Sequence, residues 1–249
     1  QRGQSCLAKR VKVAWLFHPI SEQQMQEWYF DVLDNPERIE QVIRRSGMEE
    51  FYAAKYRQTM DVARSTGPED TFDKTHGFYI AVVQGFFGDY FYTRGSALSF
   101  IEHPVFRNYC RPWTDFVPER YLTQTVHNRL VENYCSGVYL PYESAARLLT
   151  DYADGGPVRE ELDRMFSHGR IEVLLKALRF ACAQRTGLLE AAEVVTPDPF
   201  DLNNSSSYSN LFHCDIDGPL LYHEAAKAQL EQLDRLPANE LQPDRKTNY

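Results

Sequence analysis

The sequence predicts an α+β fold in which helices pack on a small, mainly antiparallel sheet. Three observations lead there. The first is the stretch from Lys74 to Ile101, KTHGFYIAVVQGFFGDYFYTRGSALSFI, the densest concentration of aromatic mass in the chain. Its two apolar runs, Phe78–Val83 and Tyr90–Tyr92, flank Gly85-Phe86-Phe87-Gly88 and read as strand, turn, strand. This predicts a central aromatic hairpin from Tyr79 to Tyr92. The second is that short apolar runs at 11–17 and 137–140 each lead into a pair of helices, which does not fit a regular βαβ alternation. The third is a strong helical period in IEVLLKALRFACAQR, residues 171–185.

In chain order, Val11 to Phe17 reads as a strand that ends at His18-Pro19. Ser21 is expected as an N-cap with Gln24 as its capping-box partner. A helix follows over 22–33, with Met25, Trp28, Tyr29 and Val32 on its apolar side. Asn35-Pro36 breaks it, and further helices are expected over 37–45 and 48–64 before the break at Ser65-Thr66-Gly67-Pro68. After the hairpin come a short helix over 97–107, an irregular segment with two prolines over 108–118, and a helix over 119–134. The run Ser136 to Pro141 then resembles Trp15 to Pro19, and in both cases a helix, a proline break and a second helix come next. A weak internal duplication of a strand-helix-helix unit is one reading; convergence on a common pattern is the other.

In the helix over 171–185, a repeat of about 3.6 residues groups Leu174 with Leu178 and puts Val173 and Phe180 at the margins of a wide buried arc. Lys176 and Arg179 should face water. Gly187 stops this helix. Residues 188–195 include a strand, and DPFDLNNSSSYSN (198–210) reads as a long mobile loop. A short strand at 211–214, a turn at 215–219 and a last helix over 220–236 complete the chain. No linker divides 1–249, so one domain is expected, with flexible ends at 1–10 and 237–249.

The chain of 249 residues carries a net charge of −8. That balance argues against nucleic acid, whose phosphates need a basic surface, and suits a basic protein partner. The five cysteines form no CxxC and no metal-finger spacing, which points to reduced thiols in a cytoplasmic protein. No apolar run approaches the length of a membrane span, so a membrane partner is not expected. Residues 1–10 lack the apolar core of a signal peptide, and a chain that opens on Gln leaves room for a trimmed leader.

The best chemical candidate is His213-Cys214-Asp215-Ile216-Asp217-Gly218 with His223 in the following helix. Asp215 and Asp217 would point the same way off an extended segment, and His213 and His223 could supply a base or imidazole ligands. Turn chemistry explains the same residues, with Asp217 capping the last helix. A second candidate is His76 beside Asp73. Cys135 lacks local features of a reactive thiol. Phosphate-cradling, dinucleotide-binding and HExxH motifs are absent from the sequence, and no cofactor is expected. Tyr90, Tyr92 and Arg94 are candidate recognition residues, expected to face outward. The reading is a cytoplasmic protein-binding module of the immunity type that neutralises a partner protein. The alternative is a metal-dependent or acid-base hydrolase using His213, Asp215, Asp217 and His223.

Overall fold

Four strands form the body of the sheet: β1 (Ala14–Ile20), β2 (Tyr90–Arg94), β3 (Ser136–Leu140) and β4 (Gly187–Ala192). A two-residue ribbon, β5 (Val195–Thr196) with β6 (Ser206–Ser207), lies apart, and β7 (Cys214–Asp215) completes the sheet at one edge. The spatial order is β3-β4-β1-β2-β7, antiparallel except for the β2–β7 pair, in a computed structural model that describes residues 13–67, 76–122 and 136–234. The terminal segments expected to be flexible, and most of the helix expected over 119–134, lie outside these residues. Within the described part of that helix, Glu119–Tyr121 forms a 3-10 turn.

The capping box forms as the sequence predicts. Ser21 Oγ accepts from the Gln24 amide at 3.1 Å, and Gln24 Oε1 accepts from the Ser21 amide at 2.8 Å. The first helix is not uniform: α1 (Glu22–Met25) widens into a π-helical turn (Gln26–Phe30) before α2 (Asp31–Asp34). Next come α3 (Arg38–Ser46) and α4 (Glu50–Arg64). β1 runs through Pro19 where the sequence predicts a stop. Its pairing with β2 ends at Phe17↔Phe91, so Pro19 is flanked by β4 alone, and a missing N–H is tolerated there.

The expected hairpin is half corrected. Tyr90–Tyr92 belongs to β2, but Phe78–Val83 lies within a helix, α5 (His76–Phe87). This helix is buried nearly all round, so its apolar residues show no 3.6-residue stripe and their run looks like a strand. Gly85 is therefore not a turn residue. A Cβ there would lie 2.5 Å from Ser209 Oγ and 2.9 Å from the Tyr90 ring, so glycine lets the helix seat on both.

The second half repeats the first in outline. β3 leads into α6 (Tyr142–Asp154), α7 (Gly156–Met165) and α8 (Arg170–Gln184), and then into β4, which pairs back on β3. β1 likewise leads through helices to β2, which pairs back on β1. The helices between β1 and β2 cover one sheet face, where Leu16, Tyr90, Tyr92, Tyr139, Leu189 and Ala191 join their core. Those between β3 and β4 cover the other, meeting Phe17, Phe91, Val138, Leu140 and Leu188. In α8, Val173, Leu174 and Leu178 are buried, Phe180 is half-buried, and Lys176 and Arg179 face water, so the predicted register holds. The last helix, α9 (Asp217–Asp234), sends Tyr222 to the first core and Leu221 to the second. Among the described residues no helix is long and apolar enough to cross a membrane.

Candidate functional site

The chain between β4 and α9 leaves the sheet and returns to its edge, and its own polar side chains fix that path. Asp198 Oδ1 accepts from the amides of Phe200 (2.8 Å) and Asp201 (3.0 Å), and Asp201 Oδ1 accepts from the Asn203 amide at 3.1 Å. Asn210 Oδ1 accepts from the Phe212 amide at 3.0 Å. These are Asx turns, the local chemistry that Asp and Asn bring to loops. The segment is also tied to the body. Ser209 Oγ donates to the Val82 carbonyl at 2.7 Å, and Tyr90 OH donates to the Asn210 carbonyl at 3.0 Å. The stretch expected to be a long mobile loop is thus a hydrogen-bonded structure whose β6 pairs with β5 just before it.

The four predicted site residues separate into a pair and two singles. Asp215 and Asp217 meet on Lys176 Nζ, at 2.6 and 2.5 Å, and both carboxylates raise the pKa of that ammonium. Asp215 Oδ1 also accepts from the Asp217 amide at 3.2 Å, so Asp215, and not Asp217, holds the start of α9. His213 Nδ1 donates to the Gly85 carbonyl at 2.9 Å, satisfying one of the carbonyls left open at the end of α5. Its Nε2 lies 3.2 Å from Asn210 Nδ2 and accepts from it. His223 Nδ1 donates to the Pro199 carbonyl at 2.6 Å. Both imidazoles hold backbone in place, and neither hydrogen-bonds an aspartate. The thiol between them, Cys214, is pushed up to about 12 by burial and by the charge of Asp215. Among the described residues, no group of three or more His, Cys, Asp or Glu is placed to hold a metal.

Tyr90 and Tyr92 do not face outward. Both are fully buried, because helices cover each face of the sheet and no residue of β2 before Arg94 reaches water. Arg94 is half-buried, its guanidinium 4.3 Å above the Tyr222 ring.

The exposed surface lies just beyond them. Phe212 is 90% exposed, Tyr208 66%, Phe200 61%, Ile216 53% and Leu220 42%. These five are most of the nine large hydrophobic residues exposed in the described chain, and they fall within residues 200–220. Ile216 and Leu220 are one helical turn apart. The bond from His223 to Pro199 brings the Phe200 turn against that side of α9. Between Thr186 and Ala226 there is no Lys or Arg, while Glu193, Asp198, Asp201, Asp215, Asp217 and Glu224 contribute charge. The amides of Asp201 and Phe200 hold the Asp198 carboxyl below the usual carboxylate range, so it stays ionised. The run without cations was visible in the sequence and was the signal that could have found this surface.

Two buried titratable groups were not anticipated. Glu190, in β4, is fully buried, and its carboxylate accepts from the amides of Leu98 (2.5 Å) and Ser99 (3.1 Å). Burial raises its pKa to about 7 against the opposing pull of hydrogen bonds from Ser99, Leu98 and Val138. His18, in β1, is fully buried, stacks on Tyr90 at 5.1 Å and bonds Gln84 Oε1 through Nδ1 at 2.7 Å. Burial lowers its pKa to about 4. His76, the second sequence candidate, lies 2.5 Å from the phenol of Tyr29 in the π-helical turn, while Asp73 and Cys135 lie outside the described residues. Comparison with family models, characterised proteins and solved structures finds no match to this chain.

Proposed function

We propose that the chain is a cytoplasmic protein-binding module of the immunity type, which neutralises a partner protein through the exposed apolar surface of residues 200–220. The observation that carries this reading is that Phe200, Tyr208, Phe212, Ile216 and Leu220, five of the nine large hydrophobic residues exposed among the described residues, all fall within residues 200–220, with Phe200, Ile216 and Leu220 brought to one side of α9. Leaving a side chain of this size in water forgoes about 1.5–3 kcal/mol relative to full burial. Single exposed hydrophobics are ordinary, but several gathered on one surface mark an interaction site. The segment is held by Asx turns and by bonds to α5 and β2, so it is a shaped surface that a partner can meet without first ordering it. The free thiols of Cys110, Cys182 and Cys214 suit a reducing compartment.

The test is capture of a partner from the native cell by wild type and by a Phe212→Asp/Ile216→Asp double variant. Both side chains already face water, so the melting temperature should stay close to wild type. Capture should be lost in the double variant and retained in Tyr142→Asp, a substitution at an exposed aromatic on α6. A double variant that captures the same protein as well as wild type does would contradict the reading.

A further inference from the structure

Resting on that binding reading, we infer that the partner docks a basic segment on this surface, with apolar anchors set between lysine or arginine side chains. The surface interleaves apolar and acidic positions. Ile216 stands between Asp215 and Asp217, Phe200 between Asp198 and Asp201, and Leu220 one helical turn before Glu224. Six carboxylates outside the core fall in residues 186–226, and no cation does.

Three ammonium groups and the guanidinium of Arg94 reach the same region from elsewhere, and each is already engaged, Arg94 over the Tyr222 ring of α9. Lys176 sits on Asp215 and Asp217. Lys55 donates to the Ser207 carbonyl at 3.4 Å and lies 5.2 Å from the centre of the Phe51 ring. Lys227 approaches Glu224 at 3.6 Å, with both groups largely in water. The surface therefore keeps an excess of negative charge around its apolar anchors. Asp201 is exposed and Asp198 half-buried; Asp198 Oδ1 accepts from two local amides, and Asp201 accepts from Asn203 and from the Asn204 side chain, so both carboxylates keep their charge at the turn.

A ligand that matches this pattern needs apolar side chains for Phe212, Ile216 and Leu220 and cations for the carboxylates between them. Lysine and arginine suit it doubly, because their aliphatic stems pack on apolar surface while their charged ends reach outward. Nucleic acid is repelled by the same carboxylates. The charge contributes mostly to encounter rate and specificity, and the apolar anchors to the lifetime of the complex.

The probe is a labelled 16-residue amphipathic peptide of Leu and Lys, compared with its Leu and Glu counterpart, each titrated against the full chain. Binding of the Lys peptide should weaken at least about tenfold between low and high salt, as screening shortens the reach of surface charges. The Glu peptide should not bind. A triple variant, Asp198→Asn, Asp201→Asn and Glu224→Gln, keeps the turn-forming acceptors but removes three charges. It should lose about tenfold in affinity for the Lys peptide, with an unchanged circular dichroism spectrum. Equal binding of both peptides, or full affinity in the triple variant, overturns the inference.

Capture of the cellular partner separates this inference from the binding reading beneath it. If capture needs Phe212 and Ile216 but ignores the three carboxylates, the binding reading stands and the basic ligand falls. If capture ignores both sets, both fall. A concentration-dependent dimer of the chain alone, broken by Phe212→Asp/Ile216→Asp, would assign the surface to a second copy and overturn the basic ligand.

Discussion

Gly218→Ala is expected to destabilise the chain by about 3 kcal/mol, the upper range for forcing a methyl group into packed structure. A Cβ at this position would lie 1.8 Å from the Tyr92 carbonyl oxygen and 2.8 Å from its carbonyl carbon. The obstacle is the backbone of β2, which is hydrogen-bonded to β1 and cannot swing aside as a side chain would. The first turn of α9 must lift away, taking with it β7, which pairs with β2 through only Tyr90↔Cys214 and Phe91↔Asp215. The apolar surface should lose its shape, so partner capture should fall together with the urea midpoint. Gly88→Ala is the control: its nearest neighbour would be Gln84 Nε2 at 3.6 Å, an ordinary contact, and the midpoint should barely move. An unchanged midpoint in Gly218→Ala would mean that α9 is not seated on β2.

Stability should depend on pH through two buried groups that act in opposite directions. The folded chain binds a proton at Glu190 near pH 7, whereas an unfolded glutamate binds one near 4.5. Stability from this group therefore rises as pH falls through 7, and levels off below 4.5. The full change is about 3 kcal/mol, at about 1.4 kcal/mol per pH unit. His18 behaves oppositely. It is kept neutral in the fold down to about 4, against 6.5 in the unfolded chain, so its contribution is complete above 6.5 and is lost as pH falls toward 4. In the wild type the two changes offset below 6.5, leaving a rise in stability between about 7.5 and 6.5 and little slope below it from this pair. Glu190→Gln should abolish that rise and expose a fall below 6.5. His18→Asn, which keeps a donor toward Gln84, should let stability climb until about 4.5. Urea midpoints across this pH range provide the measurement, and superimposable profiles for all three proteins would contradict the burial of both groups.

Where local chemistry decides, the sequence was legible. Ser21 and Gln24 form their capping box, Asn35-Pro36 and Ser65-Thr66 mark breaks, and the α8 register follows from the spacing of Leu174 and Leu178. Tertiary context overrode the pattern elsewhere. Phe78–Val83 is as compatible with a buried helix as with a buried strand, and only Tyr90 and Ser209 packing against Gly85 settles it. Alternation along Tyr90-Phe91-Tyr92 suggests an outer face only if one side of the sheet meets water. Here both sides meet helices, so Tyr90 and Tyr92 are enclosed.

The acidic turn was found as a feature, but its chemistry was not legible. Lys176 lies some forty positions earlier and reaches Asp215 and Asp217 only because α8 packs beside α9. The histidines hold the carbonyls of Gly85 and Pro199, contacts that no spacing rule contains. Nothing local in the sequence marks Glu190 as buried, since its partners are backbone amides of Leu98 and Ser99 more than ninety residues away.

The proposed docking surface is that of Phe200, Phe212, Ile216 and Leu220. Amide hydrogen exchange of the full chain, with and without the captured partner, tests it most directly. Slowing of exchange on complex formation should be concentrated in residues 198–224, with α6 and α7 on the other side of the sheet unchanged. Slowing confined to α6, α7 or the exposed side of α4, with residues 198–224 exchanging as in the free chain, would contradict it.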